Sequence, residues 1–210
     1  MLSNNDLIMG YGKSLALALQ QLQREASNFL KKESIDAAEK TIMACSATAA
    51  AAGLAAGWIP GGGAVVAVGA ATAAVWTMYI KINKDLGISM KGNVLKFIAS
   101  AFVTNLAANI GGIVAGLALG VILPFIPGFG SFMASVAMAI VNYAVIYASA
   151  VLYIMLLTKV LKAKGSFDKI TNEQEIQSFV DEVNKEADLD KIVKEGKDAY
   201  KQAKKAGEIK

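Results

Sequence analysis

The chain of 210 residues is 55% hydrophobic and 18% charged, with a formal net charge of +4, and so low a charged share points toward membrane proteins. Histidine is absent and Cys45 is the single cysteine, which excludes His-based metal sites, Ser-His-Asp catalysis, imidazole pH switching and an internal disulfide. The basic excess comes from Lys81, Lys84, Lys91 and Lys96 against Asp85; it forms no phosphate-binding stripe, so no nucleic-acid partner is expected.

The N-terminus lacks a basic stretch followed by an apolar core, so no secretory signal is expected. From Asn4 to Lys32 the spacing of Leu15, Leu19, Leu22, Ala26, Phe29 and Leu30 predicts an amphipathic helix. Such a helix either lies in a membrane interface or packs as ordinary core. Ser34 is placed to cap the next helix, with Asp36 and Glu39 in its first turns.

Thr41 to Ile80 carries no charge and is broken by Gly57-Trp58-Ile59-Pro60-Gly61-Gly62-Gly63. Each arm would be only ~25 Å long as a helix, so this hairpin either spans a thinned bilayer, enters part-way, or packs against protein. Phe97 to Thr158 is also free of charge and breaks at Pro124-Phe125-Ile126-Pro127-Gly128-Phe129-Gly130-Ser131. Its arms would be roughly 40 Å long against the ~30 Å of a bilayer's hydrocarbon core. A helix that is apolar all round needs partners on every side. The rest of the chain looks too short to supply them, so lipid contact is expected here.

The two hairpins look like copies. Trp58-Ile59-Pro60-Gly61-Gly62-Gly63 aligns with Phe125-Ile126-Pro127-Gly128-Phe129-Gly130, and the ladder Cys45, Ala49, Gly53, Gly57 aligns with Gly112, Gly116, Gly120, Pro124. Small residues four apart let backbones approach, so Gly53, Gly57, Gly112, Gly116 and Gly120 read as a packing seam; a channel-forming glycine zipper is the sharper alternative. Pro60, Gly61, Gly63, Pro127, Gly128 and Gly130 supply the turn chemistry. Asn105, Asn109 and Asn142 sit where an interhelical amide clasp is expected. Trp58, Trp76, Tyr79 and Tyr153 suit aromatic belts, or else buried packing.

Lys159, Lys162 and Lys164 close the last apolar helix, placed for its C-terminal dipole and for phospholipid head groups, and Gly165 ends it. Thr171-Asn172-Glu173-Gln174 is a capping box before a soluble helix through Ile176, Phe179, Val180 and Val183. Leu189, Ile192 and Val193 predict a second short amphipathic piece, and Lys197 to Lys210 is polar enough to fray. No phosphate loop and no acid/base pair is recognisable, so no enzyme activity, cofactor or metal is expected.

The motifs Trp58-Ile59-Pro60-Gly61-Gly62-Gly63, Met78-Tyr79-Ile80-Lys81-Ile82 to Leu86-Gly87, and Phe125-Ile126-Pro127-Gly128-Phe129-Gly130-Ser131 resemble a bacterial family of apolar helical-hairpin domains of unknown function. That family occurs in inner-membrane proteins and beside or fused to small GTPases. The resemblance covers roughly residues 40–165 and implies a membrane module in the bacterial inner (cytoplasmic) membrane whose partner, such as a GTPase, is encoded separately. It implies no catalytic residue.

The expected fold is all-α: a membrane-associated bundle of two apolar hairpins, 41–80 and 97–158, flanked by amphipathic N- and C-terminal helices. Residues 1–40 form the N-terminal segment, 41–164 the hairpin domain and 165–210 a soluble tail. Because charge lies outside both turns, the N-terminus, 81–96 and the C-terminus are expected on the cytoplasmic side. The leading functional expectation is a lipid-bound scaffold that holds a cytoplasmic partner or a second copy. A pore-forming, toxin-like protein and a soluble helical interaction protein are the alternatives.

Overall fold

The computed structural model describes residues 12–56, 63–109, 130–167, 169 and 173–209, with side chains described for 12–54, 73–106, 135–167, 169 and 174–209. Among them the chain is all-helical: α1 (Lys13–Glu25), α2 (Lys32–Ala56), α3 (Gly63–Leu86), α4 (Gly92–Asn109), α5 (Gly130–Lys164), α6 (Glu173–Glu186) and α7 (Leu189–Lys205).

The organising element is α5, whose 35 residues extend roughly 50 Å. It touches each of the other six helices. On one side stand α2, α3 and α4, on the other α1 and α7, and α6 packs against both α4 and α5; α1, α6 and α7 form a collar with polar outer faces. Interlocked pairs fix the directions. Gly12 and Glu25 of the α1 region meet Tyr147 and Lys162, so α1 runs parallel to α5. Tyr79 reaches Ser149 and Tyr153 reaches Asn83, so α3 is parallel too. Gly53 lies against Ala139 while Ala49 meets Asn142, and Gly196 lies against Ala144 and Tyr147 while Tyr200 meets Tyr143, so α2 and α7 are antiparallel.

From Tyr143 to Leu161 the α5 side chains Tyr143, Ile146, Tyr147, Val151, Tyr153, Ile154, Leu157 and Leu161 are all buried. This corrects the expectation that the chain is too short to cover an all-round apolar helix. The missing cover comes from α1, α6 and α7, each amphipathic, with Leu15, Leu19 and Leu22, Ile176 and Val183, and Ile192 and Val193 turned inward. Each such side chain removed from water contributes about 1.5–3 kcal/mol. Among the described residues one helix, over Ser135–Lys164, is long and apolar enough to cross a membrane, and 72% of its apolar window is buried inside the protein.

Three further expectations change. The first amphipathic helix ends at Glu25, and Ser34 lies within the first turns of α2, which starts at Lys32, so it is not the cap. Residues 197–205 do not fray but continue α7, because Gly196, Ala199, Tyr200 and Ala203 form an inward stripe hidden between lysines. The residue that caps α7 is Asp188, whose side chain accepts from Lys191 N–H at 3.0 Å. At the foot of α5, Gly165 takes φ +69° and its N–H returns to Leu161 O at 2.8 Å, the left-handed stop that glycine permits without Cβ strain.

Candidate membrane-contacting and helix-packing site

The seam between α2 and α5 is built on Gly53. A Cβ placed there would lie 2.8 Å from Asn142 Nδ2 and 2.9 Å from both Ala139 N and Met138 C, so the absent side chain is what lets two backbones meet. Asn142 uses that proximity, donating to Ala49 O at 3.3 Å. It thus joins α5 to the first hairpin, whereas Asn105 lines a pocket with Asp181, Asn184, Lys185 and Leu189. The expected three-amide clasp also needs the Asn109 side chain, which lies outside the described residues. Gly63 opens α3 and Gly130 opens α5. Gly57, Pro60, Gly61, Gly112, Gly116, Gly120, Pro127 and Gly128, with Trp58 and the Asn109 side chain, lie outside the described residues.

The seam between α3 and α5 is aromatic. Tyr79 and Tyr153 stack with centroids 4.0 Å apart, and both are fully buried, so they are core rather than members of a belt. Their hydroxyls are satisfied by Ser149 O at 2.9 Å and by Asn83 Oδ1 at 2.5 Å. Buried amides and phenols of this kind cost free energy unless paired, and here they fix the register of α3 on α5. Lower down, Thr41 donates to Asp85 at 2.5 Å, tying the foot of α2 to the foot of α3.

The collar is joined by charge. Glu195 of α7 accepts from Ser14 N–H at 2.8 Å, giving the N-terminus of α1 an anion that its own first turn lacks. Gly12, at φ +113°, packs against the Tyr147 hydroxyl at this point. The lysines closing α5 meet acids of the collar rather than standing free for lipid. Lys159 pairs with Glu186 at 2.7 Å and Glu182 at 3.3 Å, Lys162 with Glu25 at 3.3 Å, and Lys164 with Glu175. The hydrogen bond that Lys159 donates to Glu186 and its second pairing with Glu182 hold the Lys159 ammonium above its ordinary range.

Among the described residues, the outer face of the α2–α3 hairpin is an exposed surface of uncharged residues. Ala44, Thr48, Ala51 and Ala52 are exposed on α2, and Ala73, Trp76, Thr77 and Ile80 on α3. Trp76 is 37% and Ile80 43% exposed, and the face carries no charge until Lys40, Lys81 and Lys84 at its foot. A shallow pocket of about 220 Å³ at that end is lined by Phe29, Leu86, Ile88 and Phe167. Among the described residues no three His, Cys, Asp or Glu side chains stand close enough to hold a metal ion. Comparison with family models, curated proteins and solved structures gives no match for this chain.

Proposed function

We propose that the chain is a helical-hairpin membrane protein, seated at a bacterial cytoplasmic membrane, that holds a protein partner on its collar. The observation that carries this reading is the segregation of charge along one bundle. Charged residues gather on the collar and on the feet of α2 to α5, while the helices run from there to the opposite end without a charge. Water favours the first end and lipid the second. The collar's outer face, rich in Lys191, Lys194, Lys197, Asp198 and Lys201, is the surface offered to the partner. A GTPase encoded separately is the partner that the motif resemblance implies.

Membrane fractionation followed by carbonate extraction tests this. The expected result is a carbonate-resistant pellet; quantitative release at high pH would overturn the reading.

A second reading is favoured by one specific observation, the burial of most of Tyr143 to Leu161 inside the protein. A full span by α5 would require α1 and α7 to swing away, as in a pore former stored in soluble form. Expression separates the two, since a pore former depolarises its host and a scaffold is tolerated.

A further inference from the structure

We infer that the outer face of the α2–α3 hairpin is a docking surface for an anionic lipid bilayer, with Lys40 and Lys84 at the lipid phosphates and the charged collar turned away. The inference rests on the membrane role proposed above and adds to it the contacting face and the lipid charge.

Two rows of residues, each repeating at helical spacing, make the face. On α2 the row is Lys40, Ala44, Thr48, Ala52; on α3 it is Lys84, Ile80, Trp76, Ala73. All eight are exposed. In both rows the lysine stands at the foot and every residue above it is uncharged.

The hydroxyls of the face are already satisfied. Thr48 Oγ1 donates to Ala44 O and Thr77 Oγ1 to Ala73 O, each at 2.8 Å. Hydroxyls closed on their own helix present no unmet hydrogen bond, which is what contact with acyl chains requires. Water would impose no such condition. Trp76 lies two turns above Lys84 on the same exposed row.

Charge selects the lipid. Lys40, Lys81, Lys84, Lys91 and Lys96 are exposed around the foot of this side, while Asp36, Glu39 and Asp85 are partly buried and Asp85 is held by Thr41. Glu33 is the exposed acid of α2 to α4 among the described residues. A surface that is apolar above and cationic below fits phosphatidylglycerol-type head groups, each lysine adding roughly fivefold to partition.

The test uses the full chain carrying Trp58→Phe, so that Trp76 is the sole tryptophan, with vesicles of phosphatidylcholine alone or mixed with phosphatidylglycerol. On the mixed vesicles Trp76 emission should shift to the blue and be quenched by brominated acyl chains. Partition should fall roughly 25-fold in Lys40→Gln/Lys84→Gln, and Ile80→Glu, at an exposed position, should abolish the quenching while circular dichroism stays unchanged. If the chain floats with vesicles but Trp76 is unquenched and Ile80→Glu changes nothing, this face is not the contact, while the membrane role stands. Failure of every variant to float overturns both. A concentration-dependent dimer dispersed by Ile80→Glu, without lipid quenching, would assign the face to a second copy and overturn the inference.

Discussion

At the scale of single residues the chain depends on what is missing as much as on what is present. Gly53 has no room for a methyl group, because backbone atoms of α5 stand 2.9 Å from where it would sit. Gly53→Ala should therefore destabilise by ~1–3 kcal/mol through overpacking. Gly92→Ala, with open space around it, should change stability by less than about 0.5 kcal/mol; thermal melts of the two variants compare them directly. Glu39 makes a different case. Burial, reinforced by Asp36, raises its carboxyl above the ordinary range. A group whose pKa is raised on folding adds stability below its unfolded value, about 4.3, and loses it as pH climbs through the folded one. Glu39→Gln should thus melt higher than the parent near pH 7, and the difference should close as pH falls toward 4. A constant difference across that range would show that charge at Glu39 is not its cause.

At the scale of elements, the α3–α5 seam shows what was legible and what was not. The apolar runs announced long helices and glycine spacing pointed to Gly53, because both signals are periodic and local. That Tyr79 and Tyr153 would stack in the core was not legible, since an aromatic residue near a charged end fits a membrane belt equally well. The decision depends on which helix stands opposite, and no local pattern encodes that. Likewise α7 hid its length, because Gly196, Ala199 and Ala203 are weakly hydrophobic and their lysine neighbours dominate the composition. The seam itself predicts non-additivity. Tyr153→Phe strands the buried Asn83 Oδ1 and should cost ~1–3 kcal/mol. In the double variant Asn83→Leu/Tyr153→Phe both partners become apolar, so much of that loss should return. Denaturant unfolding of the four proteins in the cycle measures it, and simple additivity would mean that the 2.5 Å hydrogen bond does not couple the helices.

At the scale of the whole molecule, the proposed membrane role sets two kinds of cover for α5 against each other, the collar and lipid. The same surface of Tyr143, Ala144 and Tyr147 that lipid would accept is covered by α7, through Tyr200 against Tyr143 and Gly196 against Ala144. Glu195 further ties α7 to the start of α1, so loss of α7 also removes the anion at that helix terminus. A chain ending at Ala187 would leave those aromatic side chains without cover, and re-burying one in lipid is worth about 1.5–3 kcal/mol. Its partition into vesicles should then rise about tenfold or more over the full chain. Supplying residues 188–210 as a separate peptide should lower it again. Equal partition of the two chains would show that the collar does not hold α5 back from lipid.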